Sequence, residues 1–417
     1  MKKTLSAVAG LAMAGASAAQ SVTVFGVLDA SISGYANKAE DRQFATPLDP
    51  FHVNQGSATV SRTVLTSSAY NSGRLGFRGT EDLGGGLAAG FWLEGAVLVD
   101  DGTGWACGGG LNWQRRSTLS LSGPFGEVRV GRDFTPTSYN DGMFDPFGNN
   151  GVGATVIGQA NGKRSPGRFQ NGFAENRTNT RASNSVSYFL PPNLGGAYGH
   201  FMYAFNEANK YKPANPQATD SDGTPLMKPN SQRTGRYIGG RGGYANGPLD
   251  VALAYGESTI SDNFFEGTTT VLKLWNLGAS YDLGAVKLLG EYSSATAATD
   301  GAWQWHGHSR PRHPGVKGWV FGATMPVGPG LIRAAYSKGE YTGLLGATPE
   351  PKASQFAIGY VHNLSKRTAL YATVARLRNR NGAEGRVGGP DYLKTSNGNA
   401  LTPTTSTGYD LGIRHAF

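Results

Sequence analysis

The chain has 417 residues, of which 62 are Gly, and it is 39% hydrophobic, 11% aromatic and only 16% charged. It contains no run of about 18 apolar residues, which excludes a helical membrane protein. Gly without a three-residue period excludes collagen, and abundant aromatic residues with low charge argue against disorder. The composition is that of a large β protein.

The first 19 residues have the features of a secretory signal. Lys2 and Lys3 precede an apolar stretch, and small residues follow up to Ala19. We therefore divide the chain into a signal peptide, 1–19, and one mature domain, 20–417. Removing the two lysines lowers the formal net charge from +9 to about +7.

Alternation with a period of two begins at the mature N-terminus. Val22, Val24 and Leu28 lie on one face of the first segment, and Thr23 and Asp29 lie on the other. This period predicts β-strands. The predicted strands lie near residues 22–35, 72–80, 87–98, 114–122, 127–134, 184–190, 197–206, 236–245, 249–259, 270–282, 285–295, 315–326, 330–341, 353–363, 368–378 and 406–417.

Short and long connections alternate between these strands. The short ones carry the turn residues Gly, Pro and Asn. The long polar loops span about 36–70, 99–113, 135–183, 207–235, 260–269, 296–314, 342–352 and 379–405. Membrane barrels have short periplasmic turns and longer extracellular loops.

An even number of strands also lets the first and last pair, which leaves the sheet without an edge. The pattern therefore predicts an all-β fold, a sixteen-stranded antiparallel transmembrane β-barrel. At that width the interior is an aqueous channel. A secreted β-sandwich or β-solenoid is the alternative, although no internal repeat of fixed period supports the solenoid.

Charged residues in two predicted strands face the lumen by the same alternation. Leu75 and Phe77 share one face, whereas Arg74 and Arg78 share the other. A guanidinium on the lipid face costs about 2–4 kcal/mol at the bilayer midplane, so both arginines are predicted to point into the barrel. Glu94, in the next strand, is a further lumen candidate.

Five stretches spread over the mature chain resemble the general trimeric porins of the Gram-negative outer membrane, in the form common in β-proteobacteria. They are SVTVFGVLDA (Ser21–Ala30), SGRLGFRGTEDLGGGLAAGFWLE (Ser72–Glu94), RRSTLSLSGPFGEVRVGRDFTP (Arg115–Pro136), RASNSVSYFLP (Arg181–Pro191) and GYDLGIRHAF (Gly408–Phe417). The resemblance implies a homotrimeric outer-membrane channel for small hydrophilic solutes and ions. Outer-membrane lipids, lipopolysaccharide and the outer-membrane insertion machinery are the partners it implies, with Phe417 as the assembly signal.

The resemblance further implies that the third long loop folds into the barrel and narrows the pore. Here that loop spans about 135–183, is the longest, and contains the turn Asp145–Gly148. The pore constriction expected from motif position consists of Arg74, Arg132, Arg181, Asp141 and Asp145.

Arg132 departs from strict alternation. It lies on the side of Val128 and Val130, which is the lipid side. Either the strand bulges where it enters the loop, or Arg132 is not a pore residue.

The loop and wall charges favour anions. Arginines remain charged at any relevant pH, and those of the constriction set the ion preference. The third loop carries Lys163, Arg164, Arg168, Arg177 and Arg181 against Asp141, Asp145 and Glu175. We expect modest anion selectivity, which neutralising Arg74 or Arg181 reduces and neutralising Asp145 enhances. The alternatives are a selective channel for phosphate or an organic acid, and an outer-membrane enzyme or anchoring barrel.

The sequence gives little support for a metal site, a reactive thiol, catalysis or nucleic-acid binding. His306, His308 and His313 lie in a predicted extracellular loop, where such residues are usually solvated, so we predict no metal site. Cys107 is predicted to be a free thiol, because a single Cys cannot form an internal disulfide. No enzyme motif or cofactor motif is recognised, so no catalytic residue and no cofactor are predicted. Dispersed Lys and Arg argue against nucleic acid as a partner.

Overall fold

The structure, a computed structural model, describes most of the mature chain. The described residues are 21–43, 45–47, 50–104, 112–161, 178–207, 233–263, 268–300, 313–343, 349–396 and 398–417. The predicted signal peptide, Cys107, His306 and His308 lie outside them, as do residues 162–177 of the third loop.

The fold is a closed antiparallel β-barrel. Its strands are β1 (Ser21–Glu40), β2 (Ser57–Ser67), β3 (Arg74–Gly84), β4 (Leu87–Ala96), β5 (Arg116–Gly123), β6 (Gly126–Phe134), β7 (Arg181–Phe189), β8 (Ala197–Ala204), β9 (Tyr237–Asn246), β10 (Leu249–Asn263), β11 (Thr268–Asp282), β12 (Lys287–Asp300), β13 (Gly315–Val327), β14 (Gly330–Thr342), β15 (Lys352–Asn363), β16 (Thr368–Arg380) and β19 (Thr402–Ala416). A small separate hairpin consists of β17 (Thr395–Ser396) and β18 (Asn399–Ala400). Because β19 pairs with both β16 and β1, the ring closes and has no edge strand.

The strands β2 and β3 together form one strand of the barrel wall. β2 pairs with the second half of β1, and β3 pairs with its first half. Counting them as one reduces the seventeen strands of the sheet to sixteen, which confirms the predicted number. Residues 68–73 are an insertion between the two halves.

The predicted single loop over 36–70 is wrong, because β1 continues to Glu40 and all of β2 lies within that range. The outward positions of β2 are Ser57, Thr59, Ser61, Thr63, Leu65 and Ser67, as their pairing with β1 shows, and Leu65 is the one apolar residue among them. Polar residues on the outward face hide the apolar alternation by which the other strands were recognised.

Elsewhere the alternation separates an outer apolar surface from a lumenal one. On β15, Phe356, Ile358 and Tyr360 are exposed on the outside, whereas Gln355 and Ala357 are buried on the inside. None of the helices in the described residues is long and apolar enough to cross a membrane.

The described first part of the third loop, residues 135–161, lies inside the barrel, as the family resemblance implied. It contains α1 (Pro136–Met143), a 3-10 turn (Gly151–Gly153) and α2 (Val156–Asn161). α1 packs against β8–β11, α2 against β13–β15, and the 3-10 turn against β15, β16 and β19. The described part of the loop therefore follows one side of the inner wall, and the strands β3–β7 form the opposite side.

Glycines on the inner wall make room for side chains of the loop. Each of four wall glycines receives one loop residue, and a Cβ on any of them would come closer than 3.0 Å to it. We call these four positions glycine hollows. They are Gly278, which receives Phe144; Gly322, which receives Pro146; Gly339, which receives Val156; and Gly408, which receives Val152. Phe144, Val152 and Val156 are fully or almost fully buried. The loop is thus fitted to the wall by shape.

Polar side chains of the wall complete the attachment of α1. Asn140 Nδ2 donates to the carbonyl oxygen of Ala252 at 3.1 Å and to Asn276 Oδ1 at 3.1 Å. Asn276 Nδ2 donates in return to the carbonyl oxygen of Thr137 at 2.9 Å and to Asp141 Oδ1 at 2.8 Å. Buried polar groups are costly when unpaired, so these bonds fix one position of the helix.

A glycine hollow can be filled by mutation. Gly278→Ala forces the Phe144 ring out of its site, and overpacking of this kind costs about 1–3 kcal/mol. We expect a lower thermal unfolding midpoint and faster amide hydrogen exchange over residues 135–161. The matched control is Gly242→Ala, where a Cβ meets nothing within 4 Å. Equal behaviour of the two variants would show that the hollow does not hold the loop.

Candidate pore constriction

The wall facing the loop is rich in arginine. Antiparallel pairing places Arg78 beside Trp92 and Arg116 beside Glu94 on one face of the sheet. Arg129, in β6, alternates with the exposed Val128 and Val130 and is therefore lumenal. Arg74 and Arg115 lie beside them at the extracellular end. We call this set the arginine wall; it consists of Arg74, Arg78, Arg115, Arg116 and Arg129.

Aromatic rings support three of these guanidinium groups. The Cζ atoms of Arg78 and Arg116 lie 5.1 Å and 4.4 Å from the ring centroid of Trp92. That of Arg129 lies 4.1 Å from the ring centroid of Phe189. Stacking fixes the plane of a guanidinium, but the N–H groups of Arg129 already donate to the carboxylates of Glu127 and Asp133.

The carboxylates of the same wall are already engaged by arginine. Glu94 Oε1 accepts from Arg115 Nε at 2.5 Å, and Asp133 Oδ2 accepts from Arg129 Nη1 at 2.5 Å. The arginines outnumber these acids. The wall therefore carries an excess of positive charge.

The three predicted lumen residues lie where alternation placed them. Arg74 pairs with the buried Val27 of β1, while Arg78 and Glu94 share its face through β3–β4 pairing. Arg74 Nη1 donates to Asn71 Oδ1 and to the Ser72 carbonyl oxygen, both at 3.3 Å. The insertion 68–73 thus positions Arg74.

β6 bulges beside Arg132, but the bulge does not interrupt the alternation of inward and outward side chains, since Arg129 and Asp133 are both buried. The pairing of β6 with β7 shifts between Gly131 and Asp133, and Gly131 has a φ of 122° that favours glycine. Asp133, not Arg132, takes the next buried position. Arg132 Nε donates to the Gln114 carbonyl oxygen at 2.5 Å and Nη1 donates to Ser183 Oγ at 2.8 Å.

Arg181 lies close to Arg132 at the start of β7. Its Cζ lies 4.1 Å from the ring centroid of Phe134. Arg115, Arg132 and Asp133 are among the charged groups that act on it. Arg132 and Arg181 therefore lie close together. Arg115 is near enough to interact electrostatically with both Arg181 and Arg74.

Of the two loop acids, Asp145 is buried and Asp141 is partly exposed. Asp145 is 5% exposed, and its carboxylate accepts the backbone N–H of Phe147 at 2.9 Å and of Asn149 at 2.7 Å. Burial raises the pKa of Asp145 to about 6. Burial also raises the pKa of Asp141, which lies against Glu291 of β12. The expectation of an Asp145 carboxylate facing the lumen is corrected, because this side chain stabilises its own turn.

Arg333 of β14 is a site residue that the sequence analysis missed. Its guanidinium lies between two rings, 4.6 Å from the centroid of Phe147 on the loop and 4.6 Å from that of Tyr70 in the insertion. It also acts electrostatically on Asp145. Its lumenal orientation was predictable, since it alternates with Ile332 and Ala334, but its two aromatic partners are distant in sequence. Arg115, Arg116 and Arg129 were missed as well, although they lie within a quoted motif.

Within the described part of the chain, no cluster of three or more His, Cys, Asp or Glu residues is arranged to hold a metal ion. His313 is described and is exposed. The other two histidines of the predicted loop and Cys107 lie outside the described residues, so the prediction about them stays a prediction.

Comparison with known proteins agrees with this geometry. The sequence pattern of the Gram-negative porin family matches residues 4–382. The chain is 37% identical to outer membrane porin protein 32 of Delftia acidovorans and 31% identical to an outer membrane porin protein of Bordetella pertussis, in both cases over 100% of each chain.

Solved structures give the same result. An anion-selective porin from Comamonas acidovorans superposes with a TM-score of 0.67 at 33% identity, covering 95% of this chain and 100% of that one. OmpT of Vibrio cholerae shares the fold, with a TM-score of 0.58 at 13% identity and coverage of 95% and 99%. The full-length relatives and the sixteen-stranded barrel indicate the Gram-negative outer membrane, and the chain belongs to the Gram-negative porin family.

Proposed function

We propose that the barrel is a water-filled channel through which small hydrophilic solutes and ions diffuse passively, with a modest preference for anions. The observation that carries this proposal is the asymmetry of the lumen. The arginine wall faces the lumen, its acids are paired, and the loop acid Asp145 is buried. The relative from Comamonas acidovorans, described as anion-selective, supports the same preference.

Charges at the constriction outweigh those of the extracellular loops. Exposed charges are screened beyond roughly 8–10 Å at physiological salt. A passing ion in a narrow lumen comes closer than that to the guanidinium groups of the wall. The preference therefore depends on Arg74, Arg132 and Arg181 with their wall neighbours, and less on the net charge of the chain.

A selective channel for phosphate or an organic acid is the second candidate. The Arg78 and Arg116 guanidinium planes fixed by Trp92 favour it, because N–H edges of these planes point in set directions. Saturable block of the current by one anion and few others distinguishes a selective channel from a general pore. Catalysis is not part of the proposal, since the sequence contains no recognised enzyme motif.

We further propose a homotrimer, a signal peptide over 1–19 and contacts with lipopolysaccharide and the insertion machinery. The ring of Phe417 covers Gly26 of β1 within the same chain. Gly26 and Phe417 also exchange backbone hydrogen bonds at 3.0 and 3.1 Å. Phe417 thus completes the seam between β1 and β19, a position that suits a terminal aromatic read during assembly. Ala30 and Ala36 are small residues on the outward face of β1 and suit close packing between barrels.

Neutralising the predicted constriction arginines should weaken anion preference. A unit charge about 4 Å from an ion contributes about 1 kcal/mol in water, or roughly fivefold in local ion concentration. We expect the combined Arg74→Gln, Arg132→Gln and Arg181→Gln variant to lower the anion-to-cation permeability ratio severalfold, as measured by zero-current potentials in a salt gradient. Lys273→Gln, an outward-facing change, is the control. A cation preference in the unmodified channel, or no change in the triple variant, would contradict the assignment.

Anion preference should also depend on pH. With its pKa raised to about 6, Asp145 is mostly protonated at pH 5 and mostly ionised at pH 7.5. Ionisation adds negative charge to the loop, so the anion preference of the unmodified channel should fall between these values. Because the folded protein holds this proton more tightly than the unfolded chain, stability should fall as the pH rises from about 4 to about 6 and then level off.

The variants Asp145→Asn and Asp101→Asn separate the source of this effect. Asp101 lies on another loop, where backbone and side-chain hydrogen bonds from Thr103 lower its pKa. We expect the first variant to have nearly constant selectivity from pH 5 to 7.5 and the second to behave like the unmodified channel. A slope that survives in Asp145→Asn would assign the titration to another group.

A further inference from the structure

The insertion 68–73 lies on the lumenal side of the wall. Ala69 is buried and packs against Tyr371 of β16, and the ring centroid of Tyr70 lies 5.3 Å from that of Tyr371. On its other side, Ser72 Oγ donates to Asn150 Oδ1 of the third loop at 3.1 Å. The insertion is thus held between the wall and the loop.

One acidic residue of β1, Asp29, binds most of this insertion. Asp29 is fully buried. Its Oδ2 accepts the backbone N–H of Tyr70 at 3.1 Å and of Asn71 at 2.5 Å. Its Oδ1 accepts from the Tyr371 hydroxyl at 2.5 Å, and its backbone carbonyl oxygen accepts the N–H of Ser68 at 3.1 Å. A single wall residue therefore pairs three backbone N–H groups of the insertion.

The backbone of the insertion has a conformation that needs this support. Ser68 has a φ of 68°, in the left-handed region that residues other than glycine seldom occupy. Its Oγ accepts the N–H of Gly73 at 2.9 Å, which closes the insertion on itself. Loss of the Asp29 carboxylate would leave the N–H groups of Tyr70 and Asn71 without their acceptor, which is costly at a partly buried site. The insertion would then rearrange.

The same insertion holds the guanidinium of Arg74. Arg74 Nη1 donates to Asn71 Oδ1 and to the carbonyl oxygen of Ser72. Asn71 therefore takes part in two contacts, because its N–H donates to Asp29 and its side chain accepts from Arg74. A continuous set of hydrogen bonds connects the buried carboxylate to an arginine of the wall.

We propose that Asp29 is a positioning residue for Arg74 and thereby a determinant of ion selectivity. The carboxylate orders the insertion, the insertion holds the guanidinium at the lumen surface, and the guanidinium acts on passing anions. The inference rests on the proposed function, because it names a residue on which the selectivity of that channel depends.

The sign of the effect separates positioning from charge. If Asp29 acted on ions only through its negative charge, any neutral substitution would raise the preference for anions. If it acts by positioning Arg74, a substitution that frees the insertion lowers this preference, although it removes an acid. The expected change is therefore opposite to the one that net charge predicts.

Two substitutions of Asp29 use this difference. Asp29→Ala removes both acceptor atoms, and we expect the anion-to-cation permeability ratio to fall about twofold, as measured by zero-current potentials in a salt gradient. Asp29→Asn keeps an oxygen for the N–H groups of Tyr70 and Asn71, so its ratio should be no lower than that of the unmodified channel. An unchanged or higher ratio in Asp29→Ala would overturn the proposal, and so would an equal fall in both variants.

The background Arg74→Gln tests whether the effect passes through Arg74. There Asp29→Ala should lower the ratio no further, and a fall of the same size in both backgrounds would contradict the proposed route. The matched control is Asp101→Ala. The Asp101 carboxylate also orders a loop, since it accepts from Thr103 N and Oγ1 at 2.9 and 2.7 Å, and its removal should leave the ratio unchanged.

A second variant reaches the same contact without touching the buried acid. Asn71→Ala removes the side-chain acceptor of Arg74 at a partly exposed position and changes no charge. Its ratio should also fall, and an unchanged ratio would overturn the proposal. If Asp29→Ala does not fold, this variant and Asp29→Asn decide the question.

A chemical measurement keeps this proposal distinct from the proposed function. Phenylglyoxal modifies arginine side chains, and peptide mass spectrometry gives the rate at Arg74 without any measurement of current. We expect Arg74 to react severalfold faster in Asp29→Ala than in the unmodified protein or in Asp29→Asn, and equal rates would contradict the positioning role. A cation preference or an absence of conductance in the unmodified protein would contradict the proposed function and leave this result valid.

Discussion

The fit between the third loop and the glycine hollows of the wall is the constraint on which the rest of the structure depends. A sixteen-stranded barrel is too wide for its own side chains to fill, so its lumen is defined by what lies inside it. Gly278, Gly322, Gly339 and Gly408 remove side chains from the wall where the loop residues insert. Close packing of this kind is intolerant of added volume, which makes the loop a fixed part of the pore.

Docking on one side leaves the lumen asymmetric. The described part of the loop, residues 135–161, packs against the wall from β8 to β19, and the charges of β3–β7 lie on the other side of the lumen. The Asp145 carboxylate accepts a backbone hydrogen bond within its own turn, and Glu94 and Asp133 are paired with arginines. The packing of the loop therefore sets the charge of the lumen surface, because it hides a carboxylate and leaves guanidinium groups facing the solute path.

Local patterns predicted the barrel well, because a period of two reports which face of a strand meets lipid. The prediction was wrong at β2, most of whose outward residues are Ser and Thr. For Arg132 the sequence left two alternatives open, and the structure has the bulge at Gly131 without a change of alternation in β6. Arg333 was missed since its partners, Phe147 and Tyr70, come together only in the closed barrel. Asp145 has the right chemistry for a pore acid, but its burial depends on tertiary contacts that no local pattern reveals.

A double-mutant cycle on conductance tests the central claim, that the hollow at Gly278 holds the loop in the pore through Phe144. The single-channel conductance of Gly278→Ala is compared in two backgrounds, the unmodified chain and Phe144→Ala. The account predicts that Gly278→Ala raises conductance in the unmodified chain but has little further effect once the ring is gone. The same increase in both backgrounds would contradict it, because the wall substitution would then act without the loop residue that the hollow receives.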